Sequence, residues 1–179
     1  MKTSITVACA LLSLATGARA LDLNSRDLKD GGPLPDRQVY RGFGCTGANL
    51  SPQLAWTDPP AGTKSYAVTA YDPDAPTGSG WWHWVVYDIP AHVRALEGGA
   101  GRSGGLPAGA KHGRTDFGTM EFGGACPPVG DKAHRYVFTV HALKVEKLEV
   151  PADASAALVG FAINANRLGS ATLTATYGR

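Results

Sequence analysis

Three separated stretches of this chain carry acids, imidazoles and a phenol that a fold could bring together. Asp72-Pro73-Asp74-Ala75-Pro76 directly follows an apolar run. Proline fixes φ and donates no backbone hydrogen bond, so Pro73 and Pro76 end the strand ladder and hold both carboxylates in a stiff turn. A second run contains His83, Val85 and Tyr87, which a period of two places on one face of a strand. The third contains His134 and Tyr136, again sharing a face, with Arg135 and His141 alternating away from His134. Just before it lies Gly123-Gly124-Ala125-Cys126-Pro127-Pro128, a rigid loop without bulky side chains at its start.

Brought together, these are two imidazoles, two carboxylates, a phenol and exposed loop N–H groups, a set suited to a small anion. A carboxylate beside an imidazole favours the cation, and a cationic histidine donates a strong hydrogen bond to a phosphate oxygen. The acids would orient the histidines rather than touch the anion. Each feature alone has a structural explanation. An Asp-Pro pair makes a turn, a single strand histidine is commonly structural, and Trp81, Trp82 and Trp84 suit core and rim packing better than a base-stacking platform.

Other chemistries compete. Two histidines and an aspartate could form a metal site or an acid–base pair for hydrolysis, although their spacings match no specific metal motif. Gly101-Arg102-Ser103-Gly104-Gly105 fits G-x-S-x-G literally. A nucleophile elbow needs a strand before it and a helix after it, and these residues sit in a glycine-rich stretch. We therefore expect no catalytic residue, no bound metal and no cofactor.

The elements that would position these residues are mostly strands. Gln53 to Trp56, Ser65 to Tyr71, His83 to Tyr87 and His134 to Leu143 are rich in β-branched or aromatic residues and bounded by Pro, Gly or Asp. Residues 21–44 look irregular, with an edge strand near Arg37 to Tyr40. Glu97 to Gly113 is a glycine-rich loop without periodicity, long enough for a functional or mobile role. Ala152 to Leu168 has the helical pattern: Asp153 or Ser155 could cap it, Leu158, Phe161, Ile163 and Leu168 supply apolar contacts, and Gly169 ends it. Ala171 to Tyr177 alternates with threonine and suits a last strand. His92 and His112 fall in loops, as ordinary surface residues. With no repeat or linker, residues 21–179 read as one β-rich domain.

Residues 1–20 read as a secretory signal. Lys2 supplies the charged start, Ile5 to Ala15 is mostly apolar, and Ala18-Arg19-Ala20 is a small-x-small cleavage site. The alternative is a short N-terminal anchor; the run falls short of the ~20 residues a spanning helix needs. Cys9 comes too early for a lipoprotein signal. Removing Lys2 and Arg19 lowers the basic residues from 17 to 15 against 15 acids. A net charge near zero argues against a nucleic-acid-binding surface. A periplasmic or secreted location follows. There Cys45 and Cys126 suit a disulfide on compartment and count, closing a loop worth about 4 kcal/mol in the chain-entropy model; two free thiols are the alternative.

The motifs "SPQLAW", "YDPDAP", "HWVVYDIP", "CPP" and "HRYVFTVHAL", in this order and spacing, resemble the phosphatidylethanolamine-binding protein family. The bacterial Raf kinase inhibitor-like branch, of YbhB/YbcL type, is the nearer likeness, from about Gly42 to Arg179. The resemblance implies a mainly β fold, β-sandwich-like, with a large antiparallel sheet, a smaller sheet and a few peripheral helices. It also implies an anion pocket at one end for phosphate-bearing groups: a phospholipid headgroup, a phosphomonoester or a phosphorylated partner. On that pattern the ligand-binding residues are Asp72, Asp74 and Pro76, then His83, then Gly124, Pro127 and Pro128, then His134 and Tyr136. The chain departs from the pattern at Asp116, where Asn is common, at Phe122, where Tyr is common, and at Ala125, where Pro is common. These changes bear on which ligand fits, and on any transfer of kinase inhibition. Inhibition of a partner enzyme through the pocket rim is a further possibility, though secretion would separate the protein from a cytoplasmic kinase.

Overall fold

A computed structural model describes residues 20–179; apart from Ala20, the segment read as a secretory signal lies outside the described residues. In chain order the strands are β1 (Asp22–Asn24), β2 (Arg41–Gly42), β3 (Cys45–Thr46), β4 (Leu54–Thr57), β5 (Ser65–Asp72), β6 (Trp81–Pro90), β7 (Ala95–Leu96), β8 (Lys111–His112), β9 (His134–Leu143) and β10 (Arg167–Tyr177). A 3₁₀ turn, Asp36–Gln38, precedes β2, and helix α1 (Ala156–Asn166) lies between β9 and β10. The large sheet is antiparallel in the order β10-β9-β5-β6-β8, and the smaller one runs β1-β4-β7. The architecture is thus mainly β, with a large and a small antiparallel sheet.

Alternation in the long strands builds two apolar layers. Tyr66, Val68 and Ala70 of β5 and Tyr136, Phe138, Val140 and Ala142 of β9 join Trp84 and Val86 of β6 in a core shared with Leu23, Leu54 and Trp56 of the small sheet. On the opposite face, Ala67, Val85, Tyr87 and Leu143 pack against Val159 and Ile163 of α1. The central strands β5 and β6 are buried along almost their whole length because both of their faces are covered.

The helix is shorter than the sequence pattern predicts. Ser155 caps it, accepting a hydrogen bond from the Leu158 N–H at 3.2 Å. Ile163 is buried as expected, but Phe161 is 73% exposed and Leu158 and Leu168 are also exposed. α1 turns Ala156, Val159 and Ile163 toward the sheet instead. Gly169 does not end the helix; it lies inside β10, which begins at Arg167. The predicted edge strand at Arg37 to Tyr40 is the 3₁₀ turn followed by a single bridge, Val39 to Ala125. The loop from Glu97 to Gly113 ends in β8, whose pairing with β6 tucks His112 against the sheet, so its ring nitrogens are buried rather than at the surface. Ser103 of the G-x-S-x-G match lies among turns, its N–H bonded to Glu121, with neither the strand nor the helix an elbow requires.

His141, on the helix-facing side of β9, places Nε2 3.1 Å from Thr69 Oγ1. Burial, helped by Arg167, pulls its pKa down to about 4. The unfolded chain takes up this proton near pH ~6.5, so between the two values it binds more protons than the folded chain. Stability should therefore fall as pH drops from about 6.5 to about 4, by up to roughly 3 kcal/mol, and then level off. His83 and His112 are shifted the same way by burial, so His141→Gln is expected to flatten part of this slope. Urea midpoints across that range measure it; identical slopes for variant and wild type would contradict this assignment.

Candidate ligand pocket

The DPDAP turn is organised by its first residue. Asp72 ends β5 on the same face as Tyr66, Val68 and Ala70 and so projects at the open end of the large sheet. Its Oδ1 accepts hydrogen bonds from the Asp74 N–H at 2.8 Å and the Ala75 N–H at 3.1 Å, closing an Asx-type turn. Its Oδ2 lies 2.7 Å from His134 Nδ1. A carboxylate oxygen accepts, so Nδ1 carries the hydrogen. The two side chains are only 4% and 3% exposed. His134 Nε2 lies 3.5 Å from Asp131 Oδ2. His134 opens β9, and antiparallel pairing with β5 carries this end of β9, with Tyr136 on the same face, beside Asp72.

His83 reaches the same place by a different route. The register of β6 against β5 shifts between Ala70, opposite Trp84, and Tyr71, opposite Trp82, leaving His83 as the extra residue of a bulge. Bulges re-aim side chains beside functional sites. Strict alternation would put His83 with Val85 and Tyr87, which pack toward α1. The bulge turns it instead to the other face, its ring 5.1 Å from that of Tyr136 in an edge-on contact. The face shared by His83, Val85 and Tyr87 in the sequence pattern is thus broken by this irregularity.

His83 Nδ1 lies 2.7 Å from the Gly123 carbonyl oxygen. Burial pulls the His83 pKa below its usual value, against the opposing effects of the Gly123 carbonyl and Asp72. The ring is neutral near pH 7, contrary to the cation expected from a neighbouring carboxylate. Burial first, and then Asp72, push the Tyr136 phenol far above its usual range, so it keeps its hydrogen. His83 Nε2 and Tyr136 Oη are both buried without a hydrogen-bond partner, a costly condition for polar atoms unless a ligand or water completes it.

The third wall is the loop before β9. Gly124 donates its N–H to Asn49 Oδ1 at 2.7 Å, and Ala125 exchanges backbone bonds with Gln38 and Tyr40. A Cβ on Gly124 would lie 2.2 Å from the Gln38 carbonyl oxygen, so only glycine permits this approach. Cys126 is disulfide-bonded to Cys45, pinning the loop to β3. Arg179 donates to the Pro127 carbonyl at 2.6 Å and to that of Phe43 at 3.2 Å. Asp116 Oδ2 accepts from the Trp82 N–H at 2.7 Å, and its own N–H donates to the Trp82 carbonyl, holding the preceding segment against β6.

Between these walls lies a cavity of about 210 Å³. Asp72, Pro76, His83, Pro127, Pro128, His134 and Tyr136 line it. Asp74 and Gly124, expected in the same set, do not. Asp74 faces Arg135, accepting its N–H, Nε and Nη2 hydrogens at 2.9 Å each, and these bonds hold the Asp74 carboxyl well below the usual carboxylate range. It therefore anchors β9 to the turn rather than orienting a histidine. Gly124 supports the loop from behind.

The lining also includes Phe43, Trp81 and Phe117. Trp81 meets Phe117 edge-on at 5.3 Å, and Phe43 stacks on Phe117 at 6.1 Å while remaining 69% exposed. Sequence reasoning assigned Trp81 to packing and missed Phe43 and Phe117, which lie in irregular segments without periodic pattern. Trp84 is core, and Trp82 packs on Tyr71 and toward the helix side. Phe122, whose missing hydroxyl was expected to bear on ligand choice, is buried edge-on against Trp84 and does not line the cavity. Among the described residues, no group of three or more His, Cys, Asp or Glu side chains is arranged to hold a metal ion.

Comparison with known proteins agrees with this architecture. The family model described as "Phosphatidylethanolamine-binding protein" matches residues 24–178. UPF0098 protein YbcL of Escherichia coli (strain K12) is 52% identical over 180 residues, spanning 99% of this chain and 98% of that protein. UPF0098 protein YbhB of the same organism is 54% identical over 159 residues, spanning 88% and 99%. The crystal structure of E. coli YbcL, described as a new member of the mammalian PEBP family, matches with a TM-score of 0.88 at 53% identity, covering 90% of this chain and 99% of that one. By sequence match over nearly its whole length and by shared architecture, the chain belongs to the phosphatidylethanolamine-binding protein family.

Proposed function

We propose that this protein binds a phosphate-bearing ligand in the cavity at the end of the large sheet, and that it acts by binding rather than by catalysis. One observation carries this reading: His83 Nε2 and Tyr136 Oη, both buried and unpartnered, belong to side chains that line one cavity beside the Asp72–His134 pair. Preformed concave sites with a few convergent polar groups are the usual form of small-molecule pockets. The apolar rim of Phe43, Trp81 and Phe117 suits a phosphate attached to an organic group, such as a phospholipid headgroup, a phosphomonoester or a phosphorylated partner. A periplasmic or secreted setting is supported by the Cys45–Cys126 bond and by the pattern of the first 20 residues. Helices among the described residues are not long and apolar enough to cross a membrane.

A ligand that binds only the folded state raises the unfolding midpoint by mass action, by about 2.7 kcal/mol at a concentration of 100 Kd. Millimolar phosphate or phosphoethanolamine is therefore expected to raise the midpoint by several degrees in a thermal-shift experiment, and His134→Ala to remove the shift. An unchanged wild-type midpoint would defeat the proposal, and a shift retained in His134→Ala would place the site elsewhere.

A further inference from the structure

A second cavity, of about 150 Å³, lies between α1 and the large sheet. Tyr71, Trp82 and Val137 line it, while their chain neighbours Asp72, His83 and Tyr136 line the anion pocket. Alternation along the strands thus sets the two cavities back to back across the sheet, with no side chain in common. No lining side chain of the second cavity is charged near pH 7, since burial keeps His141 neutral. The Tyr71 hydroxyl is engaged by the Ser79 carbonyl. The remaining polar lining is Thr69, Thr139, His141 and Asn164, each a hydroxyl, an amide or an imidazole that both donates and accepts. Thr69 and His141 already meet at 3.1 Å. Among the described residues, the Thr139 hydroxyl and the Asn164 amide have no hydrogen-bond partner, and neither is sealed off: Thr139 is half-buried and Asn164 exposed.

Gly160 stands in the middle of α1 and also lines this cavity. Glycine is less stable than alanine inside a helix. Crowding does not require it here. An added Cβ would lie 3.8 Å from Trp82 Cη2 and 3.9 Å from Cζ2, an ordinary contact. Glycine therefore keeps open a space beside the indole that alanine would fill.

We propose that this cavity is a second ligand site, independent of the anion pocket, for an uncharged hydroxyl-bearing ring, a single sugar unit. An ion is disfavoured because no side chain in the lining carries the opposite charge, and a desolvated charge without one is costly. An anion needs donors alone, and an apolar molecule needs neither donors nor acceptors. Hydroxyls need groups that do both, which Thr69, Thr139, His141 and Asn164 supply. Trp82, Val137 and Ile163 give the C–H face of a ring an apolar surface. A mostly apolar hollow with a few polar groups is the usual form of a small-molecule site.

The indole N–H signals of an isotope-labelled full chain report on the two cavities separately, Trp82 on this one and Trp81 on the anion pocket. Glucose, galactose, ribose and N-acetylglucosamine are each titrated to about 100 mM, with glycerol and acetate as controls. At least one sugar is expected to shift the Trp82 signal along a saturating curve with a millimolar Kd while leaving Trp81 unmoved. Gly160→Ala is expected to raise the thermal midpoint by about 2 °C and to weaken that sugar by about tenfold or more. Because this variant gains stability, its lost binding does not reflect lost folding. Thr139→Val should weaken the same sugar by about fivefold. Any phosphate response at Trp81 should persist in both variants, so the outcome stands apart from that of the anion pocket. No saturable Trp82 shift from any of the four sugars overturns the proposal, as does a sugar that binds Gly160→Ala at full affinity. Saturation by acetate in place of the sugars overturns the ligand class. A lower midpoint for Gly160→Ala overturns the assignment of its space to a ligand.

Discussion

Asp72→Ala is expected to lower the thermal midpoint by about 10 °C and to weaken phosphate binding by at least tenfold. The carboxylate does three things at once: Oδ1 holds the Asp74 and Ala75 N–H groups, and Oδ2 holds His134 Nδ1. Alanine strands all three donors at a site where the His134 ring is 3% exposed. Removing one member of a buried charged or hydrogen-bonded pair typically costs about 3–5 kcal/mol, chiefly because the other is left without a partner. In a chain of this size each kcal/mol moves the midpoint by about 2–4 °C. Binding suffers separately, because His134 loses the contact that sets its tautomer and ring orientation. Asp72→Asn separates the two effects. Its amide oxygen can still close the turn, so roughly half of the stability should return, whereas the charge facing His134 is gone. A midpoint change below about 2 °C for Asp72→Ala would show that the turn and the imidazole are held by other contacts.

Removing the disulfide should have an effect of similar size through the unfolded chain. Cys45 and Cys126 are 81 residues apart, so their bond closes a long loop. The chain-entropy model assigns such a closure about 4 kcal/mol, and Cys45→Ser combined with Cys126→Ser is expected to lower the midpoint by about 10 °C. The bond also reaches the pocket. Cys126 lines the cavity beside Pro127 and Pro128, and it ties this wall to the strand that follows Phe43. Without it the wall depends on Arg179 and on the backbone bonds of Ala125. Phosphate affinity should therefore drop along with stability, and treating the wild type with a reductant should reproduce both changes. A double variant with an unaltered midpoint would show that the folded loop is held as well without the bond. Intact affinity in a destabilised variant would show that only the unfolded chain is constrained.

Local pattern in the chain determined most of the frame and part of the site. Period two in β9 placed His134 and Tyr136 on one face, and the DPDAP turn marked where β5 stops. Ser155 was legible only as one of two candidate caps, with Asp153, because capping needs no more than a side-chain oxygen and the N–H two or three residues on; the helix start at Ala156 decided between them. Tertiary structure decided what depended on a partner. His83 points into the pocket because β6 slips by one residue against β5, and a register slip is a property of two paired strands, not of either one. Asp74 left the expected ligand set because Arg135, 61 residues later, arrives beside it with three donors. Phe161 and Leu158 stayed exposed because the face α1 buries is set by the sheet beneath it. Phe43 and Phe117 joined the rim from irregular segments, which carry no repeat to read. Alternation is written in each strand separately, whereas register, facing and rim exist only once distant segments meet.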